Sequence, residues 1–156
     1  MHEYVLSVKV ANNAGVLPRV SSLFSRRCFN IKSLNAAETE VENISRLTIV
    51  VEGDLKILEQ IKSQLLKLYE VQDVQILSDA VCREHILIRA GRSCEERQKI
   101  IEIANLYRAK PVDIAADSIM LELTGEPKKI NSFVELLKPF GIIKMVRSGI
   151  TALERD

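Results

Sequence analysis

The sequence predicts an α+β protein made of two small lobes in tandem, each with the element order β-α-β-β-α-β. Short runs in which apolar and polar residues alternate are typical of half-buried strands. Between these runs, apolar residues recur at spacings of three and four, as they do on amphipathic helices. The same order of runs occurs before and after Ser78–Ala80. In the ferredoxin-like arrangement that has this order, two helices cover one face of a four-stranded sheet.

The first lobe begins with a strand in which Tyr4, Leu6 and Val8 alternate with polar Ser7 and Lys9. Asparagine and glycine residues then form a turn, and Pro18 suits the first position of a helix, where its missing N–H does no harm. The other predicted elements are a helix with Leu17, Val20, Leu23 and Phe24 on one side, strands over Ile31–Glu42 and Arg46–Glu52, a helix capped by Asp54 that carries Leu58, Ile61, Leu65 and Leu68, and a strand over Val71–Leu77.

The second lobe repeats this order, so the predicted domains are residues 1–78 and 79–156. A strand over His85–Ala90 opens the second lobe, and Ser93 is predicted to cap the helix that follows. The remaining predicted elements are strands over Pro111–Ala115 and Ile119–Thr124, a helix that begins at Pro127 and ends by Pro139 and Gly141, and a last strand over Ile142–Val146.

The composition is that of an ordinary globular protein, with 47% hydrophobic and 28% charged residues. A net charge of +1 without a basic stripe argues against nucleic acid or a membrane surface as the main partner. No apolar run is long enough to span a bilayer, and the first residues do not resemble a signal peptide. Cys28, Cys82 and Cys94 are odd in number and widely spaced, which does not suit a disulfide scaffold. We therefore expect a cytoplasmic protein.

The turn between the first strand and the first helix has the clearest chemical potential. Small residues from Asn12 to Gly15 lead into a helix N-terminus, where unpaired N–H groups and the helix dipole favour anions. The amides of Gly15, Val16 and Leu17 are the predicted donors, with that of Arg19 as a further one. The Asn12 side chain can both donate and accept, so the turn suits an amino acid. An ordinary βα turn explains the same residues, and the pattern by itself favours that simpler explanation.

The sequence contains no recognisable catalytic or metal site. His2 and His85 do not form a ligand cluster with the scattered cysteines. A phosphate-binding loop with its lysine and a nucleophile-elbow motif are both absent from the sequence. Glu38, Glu40 and Glu42 share one face of a predicted strand but have no histidine or metal ligand nearby, so we interpret them as a solvated strand end.

Each lobe is small for a core that is stable by itself. The Arg46–Glu52 strand carries Leu47, Ile49 and Val51 on one face and Val50 on the other. An isolated lobe would therefore expose apolar surface or unpaired strand edges. We expect a homodimer or a larger assembly in which the first lobes are paired.

A family resemblance covers the whole chain, dense up to about Ile49 and sparser after Ala80. The residues that carry it are Leu6-Ser-Val, Asn12, Gly15, Leu17, Arg19-Val, Leu23-Phe-Ser, Arg27, Phe29-Asn-Ile, Ser33-Leu, Ser45-Arg-Leu-Thr-Ile, Asp113-Ile and Arg147-Ser-Gly-Ile. The segments of the first lobe resemble the amino-terminal ACT domain of acetolactate synthase small (regulatory) subunits. The last two segments resemble the carboxy-terminal half of the same family.

The resemblance implies a non-catalytic regulatory subunit that activates the catalytic (large) subunit of acetolactate synthase in valine, leucine and isoleucine biosynthesis. It also implies feedback inhibition by a branched-chain amino acid, usually valine. The first lobe is accordingly identified as an ACT domain. No cofactor is expected in this chain, whereas thiamine diphosphate, Mg²⁺ and FAD are expected on the catalytic partner.

In proteins of this family the effector lies between paired ACT domains. The matching positions are Asn12, Gly15, Val16 and Leu17 from one copy, and Asn30 and Ile31 from the other. In this assignment the amides hold the carboxylate, the asparagines hold polar groups, and Val16, Leu17 and Ile31 form a wall for a branched side chain. Gly15 is expected to allow close backbone approach. Without the resemblance, Asn30 is an ordinary turn residue and Ile31 is an ordinary core residue.

Two positions depart from the usual family sequence. Cys28 stands at the end of the first helix, where glycine is usual, and a cysteine with positive φ there costs about 1–2 kcal/mol. Pro18 replaces a small polar residue. Both positions lie close to the expected effector residues, so they bear on how the effector is held.

Other interpretations remain open at this point. An ACT protein that regulates a different amino-acid enzyme would share the fold. RNA-recognition modules have the same element order, but they need aromatic residues on the central strands, and Arg46–Glu52 has none. A small enzyme on this fold would need a convergent set of catalytic residues that the sequence does not offer.

Overall fold

A computed structural model describes residues 2–91 and 93–155, except for the side chain of Cys94. It contains two four-stranded antiparallel sheets with interleaved helices, one sheet in each lobe. The α+β class and the tandem ferredoxin-like arrangement are therefore confirmed. Contacts divide the chain into one unit of Met1–Val81 with Ile150–Asp156 and a second unit of Cys82–Gly149. The domain limits 1–78 and 79–156 stay a prediction.

The sheet of the first lobe has the strand order β2-β3-β1-β4, so β2 and β4 are its edges. Asp54 caps α2 as predicted, because its carboxylate accepts a 2.7 Å hydrogen bond from the Lys56 N–H. The elements of this lobe are β1 (His2–Ala11), α1 (Val16–Ser25), β2 (Ile31–Glu38), β3 (Ile44–Gly53), α2 (Leu55–Leu65) and β4 (Val71–Leu77).

The sheet of the second lobe has the equivalent order β6-β7-β5-β8. Its elements are β5 (Ala80–Ala90), α3 (Arg97–Tyr107), β6 (Lys110–Ile114), β7 (Ile119–Gly125), α4 (Pro127–Leu137) and β8 (Ile142–Glu154), with short 3₁₀ helices at Cys94–Glu96 and Lys138–Phe140. Among the described residues, no helix is long and apolar enough to cross a membrane.

Several element ends differ from the sequence prediction for local reasons. The Ile31–Glu42 strand ends at Glu38, because Thr39 N–H donates to the Ile44 carbonyl at 2.9 Å and closes a turn in which Asn43 has a φ of 62°. Ser93 does not cap α3, since a 3₁₀ turn intervenes and the helix begins at Arg97.

The predicted start of α1 and the predicted end of β8 were also wrong. Pro18 is the third residue of α1 rather than the first, because the helix begins at Val16, and its missing N–H is still harmless there. The last strand continues to Glu154 instead of ending at Val146. Its final residues belong to the first unit, where the Ile150 N–H donates to the Ser33 hydroxyl at 3.0 Å.

The helices cover one face of the first sheet, and the other face is more polar than expected. Val50 is buried, but Ser7 and Thr48 are buried on the same face and pair with each other across β1 and β3. Part of the cover comes from residues 150–155 of the same unit, where Glu154 lies 3.7 Å from the Arg46 guanidinium. Val50, the apolar side chain that suggested a homodimer, is thus buried within one chain. The homodimer itself stays a prediction.

A buried ion pair joins β5 and β8, the first and last strands of the second lobe. Glu84 on β5 is 5% exposed and receives two hydrogen bonds from Arg147 on β8, at 2.8 and 2.5 Å. Asn131 on α4 accepts a third bond from the same guanidinium at 2.9 Å. The bonds to Glu84 raise the pKa of Arg147 above its ordinary value. The Arg147-Ser-Gly-Ile segment therefore has a structural role in this lobe.

A close approach between Gly53 and Phe29 determines how the chain leaves α1. A Cβ atom on Gly53 would lie 2.3 Å from Cε1 of Phe29, a separation that real side chains do not reach. The ring therefore packs directly on the backbone at the end of β3, and it leads the chain into Asn30 and β2.

We expect Gly53→Ala to lower the free energy of unfolding by about 1–3 kcal/mol, because the added methyl group overlaps the Phe29 ring. Equilibrium urea unfolding measures this loss. The matched control is the same substitution in a Phe29→Leu chain, where the smaller side chain should remove most of the cost. An equal cost in both backgrounds would show that the contact is not responsible.

Candidate functional site

The loop between β1 and α1 is held in place at its start by two backbone hydrogen bonds. The Ala11 N–H donates to the Glu70 carbonyl and the Asn12 N–H donates to the Asn43 carbonyl, each at 2.8 Å. These bonds attach the loop to the turns that precede β4 and β3. The loop therefore has a defined conformation before any ligand binds.

Three N–H groups of this loop and helix start have no acceptor among the described residues, and they belong to Ala14, Gly15 and Leu17. The Val16 N–H makes only a long contact of 3.4 Å with the Asn13 carbonyl, and the Arg19 N–H contacts the Gly15 carbonyl at the same distance. Of the predicted donors, the N–H groups of Gly15 and Leu17 are thus available, and those of Val16 and Arg19 are each weakly engaged.

Gly15 has a backbone conformation that favours glycine. It is the N-cap of α1 with a φ of 86°, a left-handed conformation that glycine adopts without cost. A Cβ atom built on it would meet no heavy atom within 4 Å. A side chain here would therefore meet no atom of its own chain, and the expectation that glycine allows close approach of a ligand to the backbone stays a prediction.

The three side chains that were predicted to form an apolar wall differ in how far they are buried. Val16 is 5% exposed and packs in the core of the first lobe, so only its backbone remains for a ligand. Leu17 is 42% exposed, and Ile31 is half-buried at the start of β2. Of the three side chains that were predicted to form the apolar wall, only Leu17 and Ile31 keep exposed surface.

Asn30 is exposed, and its position depends on a left-handed turn at the end of α1. Cys28 has a φ of 57°, and the Phe29 N–H donates to the Phe24 carbonyl at 3.0 Å. This arrangement is a helix C-cap that glycine usually occupies. Cys28 is exposed and is not in a disulfide.

The nearby cations are already paired with carboxylates. Arg19 on α1 forms an ion pair with Glu70, whose side chain is mostly buried. Lys32 on β2 contacts Glu3 and lies 3.4 Å from Glu52, and its hydrogen bond to Glu3 raises the pKa of Lys32. An incoming anion would therefore rely on backbone N–H groups.

Asn12 has a partner that the sequence analysis missed. Its side-chain Nδ2 donates to Oε1 of Glu38 at 3.0 Å, across 26 positions of the chain. Glu38 was interpreted as a solvated strand end, and it is exposed, but it also holds this side chain. A prediction of how β2 pairs with β3 could have identified the Asn12–Glu38 contact. That pairing brings the end of β2 beside the start of β3, and hence beside the turn at Asn43.

The described residues contain no group of three or more His, Cys, Asp or Glu side chains that could hold a metal ion. A cavity of about 210 Å³ lies beside β2 and β3, and Glu38, Glu40 and Arg46 line it in part. The β1–α1 loop remains the place where unpaired backbone donors and polar side chains lie together.

Comparison with known proteins covers both lobes. A family model described as an AHAS small subunit-like ACT domain matches residues 6–73, and one described as the small subunit of acetolactate synthase matches residues 83–156. A probable acetolactate synthase small subunit of Archaeoglobus fulgidus is 44% identical over 154 residues, which are 98% of this chain and 97% of that protein. The acetolactate synthase small subunit of Mycolicibacterium smegmatis is also 44% identical, over 97% of this chain and 91% of the length of that protein.

The chain belongs to the acetolactate synthase small-subunit family. A crystal structure of the acetolactate synthase small subunit from Thermotoga maritima confirms the fold of this family member, with a TM-score of 0.91, 36% identity and coverage of 100% of this chain and 99% of that one. The first lobe of this chain is an ACT domain, as the resemblance implied.

We expect Cys28→Gly to raise the free energy of unfolding of this family member by about 1 kcal/mol, because glycine removes the cost of a left-handed side-chain-bearing residue. Cys28→Ala is the control, since alanine has the same backbone penalty and should give no gain. Urea unfolding compares the three proteins. Equal stability of the glycine and alanine variants would contradict the assigned backbone conformation.

Proposed function

We propose that this chain is the regulatory subunit of acetolactate synthase, which activates the catalytic subunit and makes it sensitive to a branched-chain amino acid, with valine as the first candidate. Its family membership supports a partnership with the catalytic subunit. In this proposal the chain has no catalytic group of its own. The reaction and its cofactors, thiamine diphosphate, Mg²⁺ and FAD, belong to the partner.

The observation that carries the effector proposal is the set of unpaired N–H groups at Gly15 and Leu17. They lie at the N-terminus of α1, where the helix dipole is positive, and no acidic residue occupies the first turn of that helix. A carboxylate placed there satisfies donors that otherwise have only solvent. A hydrogen bond to a charged group of this kind contributes about 1.5–3 kcal/mol.

The remaining parts of an amino acid have matching groups in the same lobe. Asn12 holds its amide oxygen free for an ammonium group, since its nitrogen is engaged by Glu38. Leu17 is exposed on α1 and can contact a branched side chain. Asn30 precedes β2 and Ile31 begins it, and β2 is an edge strand, which supports the proposal that these two residues contribute from a second copy of the lobe.

The proposed mechanism is linkage between effector binding and the arrangement of two copies. Valine between paired ACT domains stabilises one arrangement, and the catalytic subunit responds to that arrangement. A coupling free energy of about 1–3 kcal/mol is enough for a useful change in activity. The second lobe is proposed to help in activation of the partner. This protein is proposed to act in the cytoplasm as a homodimer or a larger assembly.

We expect Gly15→Asp to abolish inhibition by valine and to leave activation of the catalytic subunit intact, because it places a carboxylate where that of the effector belongs. The measurement is the acetolactate synthase rate of the mixed subunits with and without valine. Gly15→Asn is the matched control, because asparagine also tolerates a left-handed φ but is neutral, and it should retain part of the valine response.

Two results would contradict the proposal. Full valine inhibition with the aspartate variant would mean that the site is elsewhere. A catalytic subunit whose rate is the same with and without the unaltered chain would refute the regulatory role altogether.

A further inference from the structure

The Asn12–Glu38 pair has a consequence for which ligands the loop accepts. At neutral pH a glutamate carboxylate only accepts hydrogen bonds, so the atom of Asn12 that faces it must be the amide nitrogen. The amide oxygen then points away from Glu38. Among the described residues, no donor is bonded to that oxygen. Glu38 thus determines which end of the asparagine amide is offered to a ligand.

Glu38 also adds a negative charge next to the loop. The nitrogen and oxygen of the Asn12 amide are joined through one carbon, so a ligand ammonium held by the oxygen would lie within about 9 Å of the Glu38 carboxylate. That distance is inside the Debye length of about 10 Å at 0.1 M salt. The charge therefore attracts the ammonium group of a zwitterion and repels a ligand that carries only a carboxylate.

Among the described residues, none of the ion pairs involves Glu38, and Arg46, which lines the same cavity as Glu38, lies 3.7 Å from Glu154. Arg19 is paired with Glu70 and Lys32 with Glu3 and Glu52, and neither contacts Glu38. The donors for the ligand carboxylate are neutral backbone N–H groups of Gly15 and Leu17. Those N–H groups do not distinguish an amino acid from the deaminated acid with the same carbon skeleton, because both ligands present the same carboxylate.

We propose that Glu38 is the residue that makes this site selective for zwitterionic amino acids over simple carboxylic acids of the same shape. It does so by turning the amide oxygen of Asn12 toward the ligand and by placing a negative charge near the ammonium group. This inference rests on the proposed function, since it takes the loop as the amino-acid site. It identifies the residue that separates an amino acid from its deaminated analogue.

The test measures binding of valine and of 3-methylbutanoate, which is valine without its amino group, to the full chain. Equilibrium dialysis with radiolabelled valine gives one dissociation constant, and competition by 3-methylbutanoate gives the other. Glu38→Gln keeps an oxygen that can accept the Asn12 N–H but removes the charge. We expect it to narrow the preference for valine by about fivefold, which corresponds to about 1 kcal/mol.

Two further variants separate charge from structure. Glu38→Ala removes both the hydrogen bond and the charge, and it should weaken valine binding more than the glutamine variant does. Glu40→Gln removes a carboxylate two positions further along, where the described structure shows no bond to the loop, and it should leave the preference unchanged. Raising the salt concentration should narrow the preference of the unaltered chain and of Glu40→Gln, but not that of Glu38→Gln.

Each outcome decides the matter. If Glu38→Gln keeps the full preference, or if Glu38→Ala weakens both ligands equally, Glu38 only holds the loop and the inference is wrong while the proposed function stands. If Glu40→Gln narrows the preference for valine over 3-methylbutanoate as much as Glu38→Gln does, the effect is one of general surface charge. The inference is then also wrong. If the unaltered chain binds no valine, the proposed function fails, and the inference fails with it.

Discussion

The β1–α1 loop combines a fixed backbone with unsatisfied donors. Bonds from Ala11 and Asn12 to the neighbouring turns hold its first half, and Gly15 takes a left-handed conformation that starts α1 at Val16. Side-chain caps usually satisfy the first N–H groups of a helix, but glycine has none to offer. The result is a small set of pre-oriented donors facing solvent, and the proposed chemistry of the lobe depends on them.

The charges around this loop are arranged so that the backbone donors are the main attraction for an anion. Arg19 on α1 and Lys32 on β2 are both paired with glutamates of the same lobe. A carboxylate bound to the free N–H groups would accept charge-assisted hydrogen bonds, which are shorter and stronger than bonds between neutral groups.

The sequence predicted the fold well because both lobes have regular periodicity. The strand β4 and the capping by Asp54 follow directly from local pattern and residue chemistry. The ends that failed depend on interactions between distant segments. The strand β2 stops at Glu38 because of the turn closed by Thr39 and Ile44, and β8 continues because its last residues join the first unit.

The candidate site, too, could be predicted only in part from the sequence. Gly15 and Leu17 were found from the turn residues and the helix start, since backbone donors need no particular side chain. Val16 was assigned to the wall of the site, but the phase of α1 places it in the core. Glu38 was missed because its contact with Asn12 spans 26 positions and depends on how the β2–β3 turn lies against the loop. Periodicity carries no information about such a contact.

The most direct measurement follows the backbone amides themselves by two-dimensional NMR of the ¹⁵N-labelled chain during addition of valine. The account predicts saturable shifts of the Gly15 and Leu17 amide signals. The N-terminus of α2 serves as an internal control, because the Lys56 N–H is already bonded to Asp54 and its signal should not move. Unchanged Gly15 and Leu17 signals at saturating valine would contradict the account.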